Sequence, residues 1–325
     1  MEDQLTQLML LTILCALATG ATDCFQPDTY TYLTLDPGSA EPTSLTLLAS
    51  PPQDTAPRLP NGRSPALVFV HGGYWSSGNS ADLGLTNDMQ DANEKGYFAV
   101  SINYRLTAEN AEDGTAKHPW PAQIQDVKCA VRWVRAQADD FNIDPERVAV
   151  VGVSSGGHLA LMAGEATDLD SFEAADCSYP GSSTPNAVVS YAGVGDIMPF
   201  WELAGGKTSL VRLLGYPKSP LPELADIQED LDWVNPLTYV QSSSAVPVLL
   251  MHAKNDGVVP CQASENLFEK LEDENRDAYF FVTETGDHTF TGVRDTMDDV
   301  MHAWLGERFW GVPSGLPDSH GTTCD

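Results

Sequence analysis

The pattern of hydrophobic and polar residues changes along the chain. Apolar and polar residues alternate from Thr29 to Leu48 around Pro37-Gly38, which predicts a leading antiparallel hairpin. A polar, proline-rich stretch at 50–65 predicts a surface loop. The apolar runs that follow are typical of strands buried on both faces. We expect these strands at 66–70, 97–102, 147–153, 187–191, 246–252 and 278–283.

Helical patterns separate these strands. In the segment 121–138, apolar residues recur at the spacing of one helix face, and further helices are expected at 83–95, from 155 onward, and at 295–309. Strands that alternate with helices form βαβ units, so the sequence predicts an α/β fold with a mostly parallel sheet and helices on both faces. We expect one domain over 25–311, an insertion or cap over the sheet's carboxyl edge at 196–239, and an irregular tail at 312–325.

The N-terminus has a pattern of its own. An apolar run at 8–17 is followed by small residues at 18–21. The run is too short to span a bilayer comfortably and ends in a small-residue cleavage site. We therefore expect residues 1–20 to be a signal peptide and the protein to be secreted. Because Glu2 and Asp3 stand where a signal peptide is normally positive, a membrane-anchored N-terminus is the alternative.

The charge of the chain excludes some partners. The 325 residues contain 17 Lys and Arg against 46 Asp and Glu, which gives a formal net charge of -29. A field this negative repels nucleic acids and anionic membrane surfaces. We expect neither nucleic-acid binding nor stable membrane association. The sequence leaves the oligomeric state open.

The cysteines bear on the redox compartment. Cys15 lies in the predicted signal peptide, and the five others favour one or two disulfides plus a free thiol. Cys129 lies in a helical pattern and is our candidate for a buried free thiol. Cys24 and Cys324 lie near opposite chain ends and are candidates for a tether. Since no cysteine has zinc-ligand spacing, we expect no metal site.

The strongest chemical signal follows the predicted strand at 147–153. Ser154 lies between Gly152 and Gly156 in a strand, G-x-S-x-G, helix arrangement. A side chain at either glycine would collide with so tight a turn, and the turn lifts the serine hydroxyl clear of the sheet. Ser154 is therefore the predicted nucleophile. Ser155 is the rival, but it is not centred between the glycines.

A second glycine-rich turn follows the strand at 66–70. Acyl transfer requires donors that face the developing oxyanion, and glycines let the backbone approach a substrate closely. We expect the backbone N–H groups of Gly73, Tyr74 and Ser155 to form this oxyanion hole. Gly72 is expected to shape the loop, and His71 to anchor it.

The acid and the base of a triad should follow late strands, in the order serine, acid, histidine. His288 comes directly after the last predicted strand, and Asp256 lies in the loop after the strand at 246–252. His158 is expected to lie too deep to reach the serine, and His252 to be a packed strand-end residue. Asp287 is expected to be a turn residue. This chemistry requires no metal or cofactor.

These segments together resemble a known family. The matching stretches include "LVFVHGGYWSSG", "SINYRL", "HAKNDGVVP" and "GDHTF". They are similar to the esterase/lipase family of α/β-hydrolases, in particular the bifunctional feruloyl and acetyl-xylan esterase (BD-FAE) branch. The resemblance covers most of 66–310 and implies the α/β-hydrolase fold. It also implies a buried ion pair between Arg105 and Asp126. Val153 and Ser155, which flank the serine, differ from the family's usual residues.

The resulting functional hypothesis is a serine carboxylesterase that acts on a small-molecule or polysaccharide-linked ester, such as an acetyl or feruloyl ester. An amidase similar to arylformamidases is the first alternative, because those enzymes share the His-Gly-Gly-x-Trp loop. A secreted binding protein on an inactive hydrolase scaffold is the second. Four aromatic residues are candidates to line the pocket, although most residues of this kind simply belong to the core: Tyr74, Trp75, Phe200 and Trp201.

Overall fold

The computed structural model describes residues 25–39, 42–107, 115–167, 169–217, 219–319 and 322–325. The predicted signal peptide and Cys24 lie outside the described residues. The strands of the described chain are β1 (Asp28–Leu35), β2 (Thr43–Ser50), β3 (Ser64–Val70), β4 (Phe98–Ile102), β5 (Ile143–Val153), β6 (Ala187–Tyr191), β7 (Val248–Ala253) and β8 (Ala278–Thr283). The helices are α1 (Leu83–Glu94), α2 (Ala122–Ala136), α3 (Ser155–Glu165), α4 (Ile197–Trp201), α5 (Ala204–Leu213), α6 (Gln228–Trp233), α7 (Gln262–Asp273) and α8 (Arg294–Trp310).

All of these strands join one sheet in the order β1-β2-β4-β3-β5-β6-β7-β8. The leading hairpin is antiparallel as predicted, and β2 pairs antiparallel with β4. From β4 across to β8 every pairing is parallel. The predicted α/β-hydrolase arrangement of a mostly parallel sheet is therefore confirmed. Parallel strands all point the same way, so the loops after β3, β5, β7 and β8 meet at one edge of the sheet.

Helices cover both faces of the sheet, which explains the continuous apolar runs in the sequence. Successive side chains of β3 point to opposite faces, so Val68 packs into one core cluster and Phe69 into the other. Helices α2 and α3 contribute to the first cluster, and α1 and α8 to the second. The predicted stripe on α2 is fully buried. Burying each large apolar side chain contributes roughly 1.5–3 kcal/mol.

Several strand boundaries differ from the prediction, and two of them have a clear physical cause. Strand β5 begins at Ile143, before the predicted 147, because Ile143 pairs with Ser64 at the start of β3. Strand β7 begins at Val248 rather than 246. Pro247 precedes it and has no N–H to donate to a ladder. The sequence pattern could not show the start of β5, because its pairing partner and not its apolar content sets it.

The predicted insertion at 196–239 contains α4, α5 and α6. It lies against the core of the fold at several points. The backbone N–H of Leu237 donates to Gly195 O, and the N–H of Trp120 donates to Leu213 O at 2.7 Å. Its role as a cap over the site stays a prediction. The tail contains no helix or strand in the parts that the structure describes.

The described residues form two disulfides, a number within the prediction, but their pairing corrects it. Cys129 is bonded to Cys177, and Cys261 is bonded to Cys324. The free-thiol prediction for Cys129 is wrong, because the segment after α3 brings Cys177 against α2. The proposed Cys24–Cys324 tether is also wrong, since Cys324 is bonded to Cys261, the residue before α7. Each bond joins distant segments and contributes about 2–4 kcal/mol in a chain-entropy description.

The ion pair implied by the family resemblance is present. The guanidinium of Arg105 donates to Asp126 from Nη2 at 2.7 Å and from Nε at 2.9 Å. The backbone N–H of Arg105 also donates to this carboxylate at 2.7 Å. The Asp126 side chain is fully buried. The pair fixes the segment after β4 to α2, and a charge left alone there would be strongly destabilising.

Candidate active site

The turn between β5 and α3 holds Ser154 in a strained conformation. Its φ of 58° and ψ of -121° are unusual for a residue with a side chain. A Cβ on Gly152 would lie 2.0 Å from Gly156 O, and one on Gly156 would lie 2.1 Å from Val70 O. Both glycines are therefore required by close backbone contacts, as the sequence predicts. The Ser154 N–H donates to Tyr191 O at 2.8 Å, which ties the turn to β6.

The structure brings Ser154, His288 and Asp256 together in one hydrogen-bonded line. Nε2 of His288 lies 2.9 Å from Ser154 Oγ, and its Nδ1 lies 2.7 Å from Asp256 Oδ2. The three residues follow β5, β8 and β7 respectively, at the carboxyl edge of the sheet. The Asp256 side chain is fully buried, and that of His288 is 18% exposed. A histidine with this exposure can contact both the buried acid and a substrate from solvent.

The acid is held by several donors. Oδ1 of Asp256 accepts the backbone N–H groups of Val258 at 2.8 Å and Val259 at 3.0 Å. Burial raises the pKa of Asp256, but hydrogen bonds from His252 and His288 outweigh burial and hold the pKa well below its ordinary value. The side chain is therefore a carboxylate at neutral pH. A carboxylate at this position keeps the proton on Nδ1 of His288 and leaves Nε2 free to accept one from Ser154.

The loop after β3 lies directly beside the nucleophile. A Cβ on Gly72 would lie 3.1 Å from the Cβ of Ser154, so the loop approaches as closely as its backbone allows. Gly73 has a φ of +117°, and a Cβ there would lie 2.2 Å from Ser77 O. The next residue, Tyr74, also has a positive φ of 54°. Glycine is required at 73 both by its conformation and by the turn that closes on it.

The three predicted oxyanion donors therefore lie on the two segments that flank the serine. Gly73 and Tyr74 belong to the loop after β3, and Ser155 is the first residue of α3. The first N–H groups of a helix have no partner within the helix and favour negative charge. Such backbone donors suit the oxyanion of a tetrahedral intermediate.

His71 anchors this loop. The residue is 1% exposed, its ring stacks on Tyr104 with centroids 4.2 Å apart, and its Nδ1 lies 2.7 Å from Gly72 O. The Tyr104 hydroxyl donates to His71 O at 3.1 Å. Burial lowers the pKa of His71, although the contact with Gly72 O acts in the opposite direction. A neutral, packed imidazole agrees with the structural role predicted for it.

His158 has a different set of partners from the base. Its Nδ1 accepts the indole N–H of Trp75 at 3.2 Å, and its Nε2–H donates to Val234 O at 2.6 Å. Burial lowers its pKa to about 4, although the bond to Val234 acts to raise the pKa. Both ring nitrogens are therefore used inside the core. Asp287, next to the base, is exposed and caps its own turn by accepting the Thr289 N–H at 2.9 Å.

His252 was predicted to be only a packed strand-end residue. It is buried at the end of β7, but its Nε2 lies 3.2 Å from Asp256 Oδ2. The sequence held one signal for this contact: the tight turn after β7 brings residues four apart together.

The aromatic residues predicted to line a pocket have different surroundings. Tyr74 is 39% exposed and stacks on Phe200 with centroids 6.4 Å apart. Trp75 is fully buried, so it belongs to the core and does not line a pocket. A buried indole N–H requires an acceptor, and Trp75 finds one in His158. Phe200 and Trp201 are also nearly buried, at 2% and 5%.

Among the residues that the structure describes, no group of three or more His, Cys, Asp or Glu side chains is arranged to hold a metal ion. None of the described helices combines the length and apolar character that a membrane crossing requires.

Comparison with known proteins bears on this site. The BD-FAE family model matches residues 55–271. The probable carboxylic ester hydrolase LipM of Mycobacterium tuberculosis is 31% identical over 214 residues, which cover 65% of this chain and 45% of LipM. Esterase LipC of the same organism is 29% identical over 220 residues, which cover 66% of this chain and 49% of LipC. The chain thus spans about half the length of these curated relatives.

Solved structures share the fold. A truncated carbohydrate esterase from gut microbiota has a TM-score of 0.70 and 24% identity, covering 89% of this chain and 98% of its own. Butyrate-bound esterase 2 of Thermogutta terrifontis has a TM-score of 0.67 and 21% identity, and the match covers 87% of this chain and 95% of the esterase. The family model matches two thirds of the chain, and the sheet has the arrangement that this fold requires. The chain therefore belongs to the BD-FAE family of α/β-hydrolases.

Proposed function

We propose that this protein is a serine hydrolase that cleaves carboxylic esters, with Ser154 as nucleophile, His288 as general base and acid, and Asp256 as the orienting carboxylate. The observation that carries the proposal is the continuous line of contacts from Ser154 Oγ through His288 to Asp256, at 2.9 and 2.7 Å. These distances are within the range required for proton transfer and for orientation of the base.

In the first half of the reaction, Ser154 Oγ attacks the ester carbonyl carbon while its proton passes to Nε2 of His288. The carbonyl oxygen becomes an oxyanion that accepts hydrogen bonds from the backbone N–H groups of Gly73, Tyr74 and Ser155. The intermediate then collapses, the C–O bond to the alcohol breaks, and the alcohol leaves with the proton from His288. The acyl group remains bonded to Ser154.

In the second half, water replaces the alcohol. His288 takes a proton from the water as its oxygen attacks the acyl carbon, and the same N–H groups hold the second oxyanion. When this intermediate collapses, Ser154 recovers its proton from His288 and the carboxylic acid is released. Asp256 stays ionised in both halves and stabilises the imidazolium form of His288.

The proposed substrate is a small or polysaccharide-linked ester with an acetyl or feruloyl group. The family match supports esters of this class, and a similar structure carries the name of a carbohydrate esterase. The net charge of -29 favours neutral substrates over anionic ones. The two disulfides are the reason to propose a secreted protein, since such bonds persist in oxidising compartments.

A substrate panel tests this proposal. The full chain is assayed with p-nitrophenyl esters from acetate to octanoate, with methyl ferulate and with N-formylkynurenine. We expect turnover of the short esters, little turnover of the formamide, and loss of activity in Ser154→Ala and His288→Asn. His302→Asn is the matched control, because His302 also bonds a carboxylate, that of Asp91, outside the site. Preferred turnover of N-formylkynurenine would favour the amidase alternative, and no turnover at all would favour the binding protein.

A further inference from the structure

A second histidine contacts the same carboxylate oxygen as the proposed base. His252 lies at the end of β7, four residues before Asp256, and both side chains are fully buried. Oδ2 of Asp256 lies 2.7 Å from Nδ1 of His288 and 3.2 Å from Nε2 of His252. The mechanism above uses only the first of these contacts.

The surroundings of His252 determine where its proton lies. Nε2 is also 3.0 Å from Val259 O, and a backbone carbonyl can only accept a hydrogen bond. Nε2 therefore carries the hydrogen and donates it between Val259 O and Asp256 Oδ2. In the neutral ring, Nδ1 is then an acceptor, and the Ser264 hydroxyl lies 2.8 Å away as its donor. Ser264 is fully buried in α7, so the ring is held from both sides.

This arrangement completes the hydrogen bonding of the acid. Oδ1 of Asp256 accepts two backbone N–H groups, and Oδ2 accepts one N–H from each histidine. With four donors, each carboxylate oxygen accepts two hydrogen bonds, and the side chain is held in a single orientation. The hydrogen bond from His252 also helps to hold the pKa of Asp256 below its ordinary value against the effect of burial. A less basic Asp256 leaves the proton on His288 when the imidazolium forms.

We propose that His252 is a positioning residue that acts through Asp256, and that Ser264 fixes its tautomer. This inference rests on the proposed ester hydrolysis at Ser154. His252 touches no reacting atom in this scheme. It orients the carboxylate that orients His288, so its loss affects the chemical step and leaves substrate binding unchanged.

The test is a double-mutant cycle on the full chain, with p-nitrophenyl butyrate as substrate. His252→Leu removes the N–H, whereas His252→Gln places an amide N–H near the position of Nε2. We expect His252→Leu to lower kcat by about 10- to 100-fold, as for the loss of one hydrogen bond to a charged group, with little change in KM. We expect His252→Gln to recover most of this loss, and Ser264→Ala to lower kcat by a smaller factor.

The cycle partner is Asp256→Asn. If His252 acts through Asp256, the two changes are not additive, and His252→Leu lowers kcat by less than about twofold further when Asp256→Asn is already present. His302→Leu is the matched control. Its imidazole bonds Asp91 between α8 and α1, so this variant should keep its kcat in both backgrounds.

Three outcomes would overturn the inference. They are a folded His252→Leu with the wild-type kcat, an equal loss of kcat with and without Asp256→Asn, and a His252→Gln no better than His252→Leu. If urea denaturation shows that His252→Leu is not folded, the variants His252→Gln and Ser264→Ala test the proposal instead. A wild-type kcat in Ser264→Ala would contradict it. Failure of the proposed function is distinct, because the unmutated protein would then hydrolyse no ester.

Discussion

The two sides of the candidate site are held in place by different physical means. On the nucleophile side, Ser154 is positioned by its backbone, through a strained φ of 58° and the contact of Gly152 with Gly156. On the acid side, Asp256 has an ordinary short loop and is positioned by four hydrogen bonds, two of them from side chains. Steric exclusion fixes one side, and polar complementarity fixes the other.

The difference shows which kind of substitution each side tolerates. A steric constraint fails when an atom is added, because close-packed backbone cannot move aside. A polar constraint fails when a donor or acceptor is exchanged, even if the shape is kept. The side that holds Ser154 should therefore be sensitive to added volume, and the side that holds Asp256 to isosteric changes of donor or acceptor.

The isosteric change Asp256→Asn should have the largest effect on activity. The two backbone N–H groups hold the amide oxygen of the new side chain, which turns its NH₂ group towards His288. His288 must then carry its proton on Nε2, where it cannot accept one from Ser154. We expect kcat to fall by about 10⁴-fold with little change in stability, as for other triads that lose the carboxylate.

Steady-state kinetics and urea unfolding check this prediction. Asp287→Asn is the matched control, because Asp287 is next to the base but exposed in its own turn. Retention of a tenth of the activity in Asp256→Asn would show that the acid side does not depend on polar orientation.

The volume-increasing change Gly152→Ala should break the nucleophile side. The added Cβ would lie 2.0 Å from Gly156 O, which is backbone and cannot rotate away. We expect a loss of at least about 3 kcal/mol in the free energy of unfolding together with loss of activity. Gly306→Ala in α8 is the control, because its Cβ would meet no atom within 4 Å. This control should gain roughly 0.5–1 kcal/mol. Equal stability of the two variants by urea unfolding would contradict a steric constraint.

Lowering the pH should weaken the side of the site that holds Ser154 before the side that holds Asp256. The pKa of His158 on α3 is about 4, below its ordinary value of 6.5, because the ring is buried. Between these pH values the unfolded chain binds the proton and the folded chain does not, so stability is lost as pH falls from 6.5 towards 4. Protonation would also turn an N–H of His158 against the indole N–H of Trp75.

We expect this histidine to account for about 1–3 kcal/mol of the acid-induced loss of stability. Unfolding free energies measured between pH 7 and 4 for the wild type and His158→Leu isolate its contribution. The wild type should have the steeper pH dependence. Parallel curves for the two proteins would assign the acid sensitivity to other groups.

The same contrast explains what the sequence could predict. The nucleophile turn was identifiable because its steric requirement is local and is met by glycines at fixed spacing. The positions of the strands and the long helices followed from apolar runs, apart from boundaries set by pairing, such as Ile143. Asp256 and His288 were identified from their order and from the strands that they follow, since all parallel strands end at one edge.

Two contacts between distant segments were beyond the sequence pattern. Cys129 looked like an isolated thiol within a helix, and only the folded chain places Cys177 beside it. The sequence indicates only a packed residue at His252. Its bond to Ser264 depends on how β7 and α7 pack, which the sequence pattern does not show. Polar complementarity of this kind leaves no regular spacing in the chain, so the acid side was predicted only in part.

Covalent labelling is the decisive experiment on Ser154, because it reports whether this serine is an activated nucleophile whatever the natural ester is. A fluorophosphonate reacts when the serine oxygen bonds to phosphorus and fluoride leaves. We expect one adduct per chain, located on Ser154 by peptide mass mapping, absent in Ser154→Ala and formed much more slowly in His288→Asn. An adduct at another residue, or no adduct on the folded protein, would contradict it.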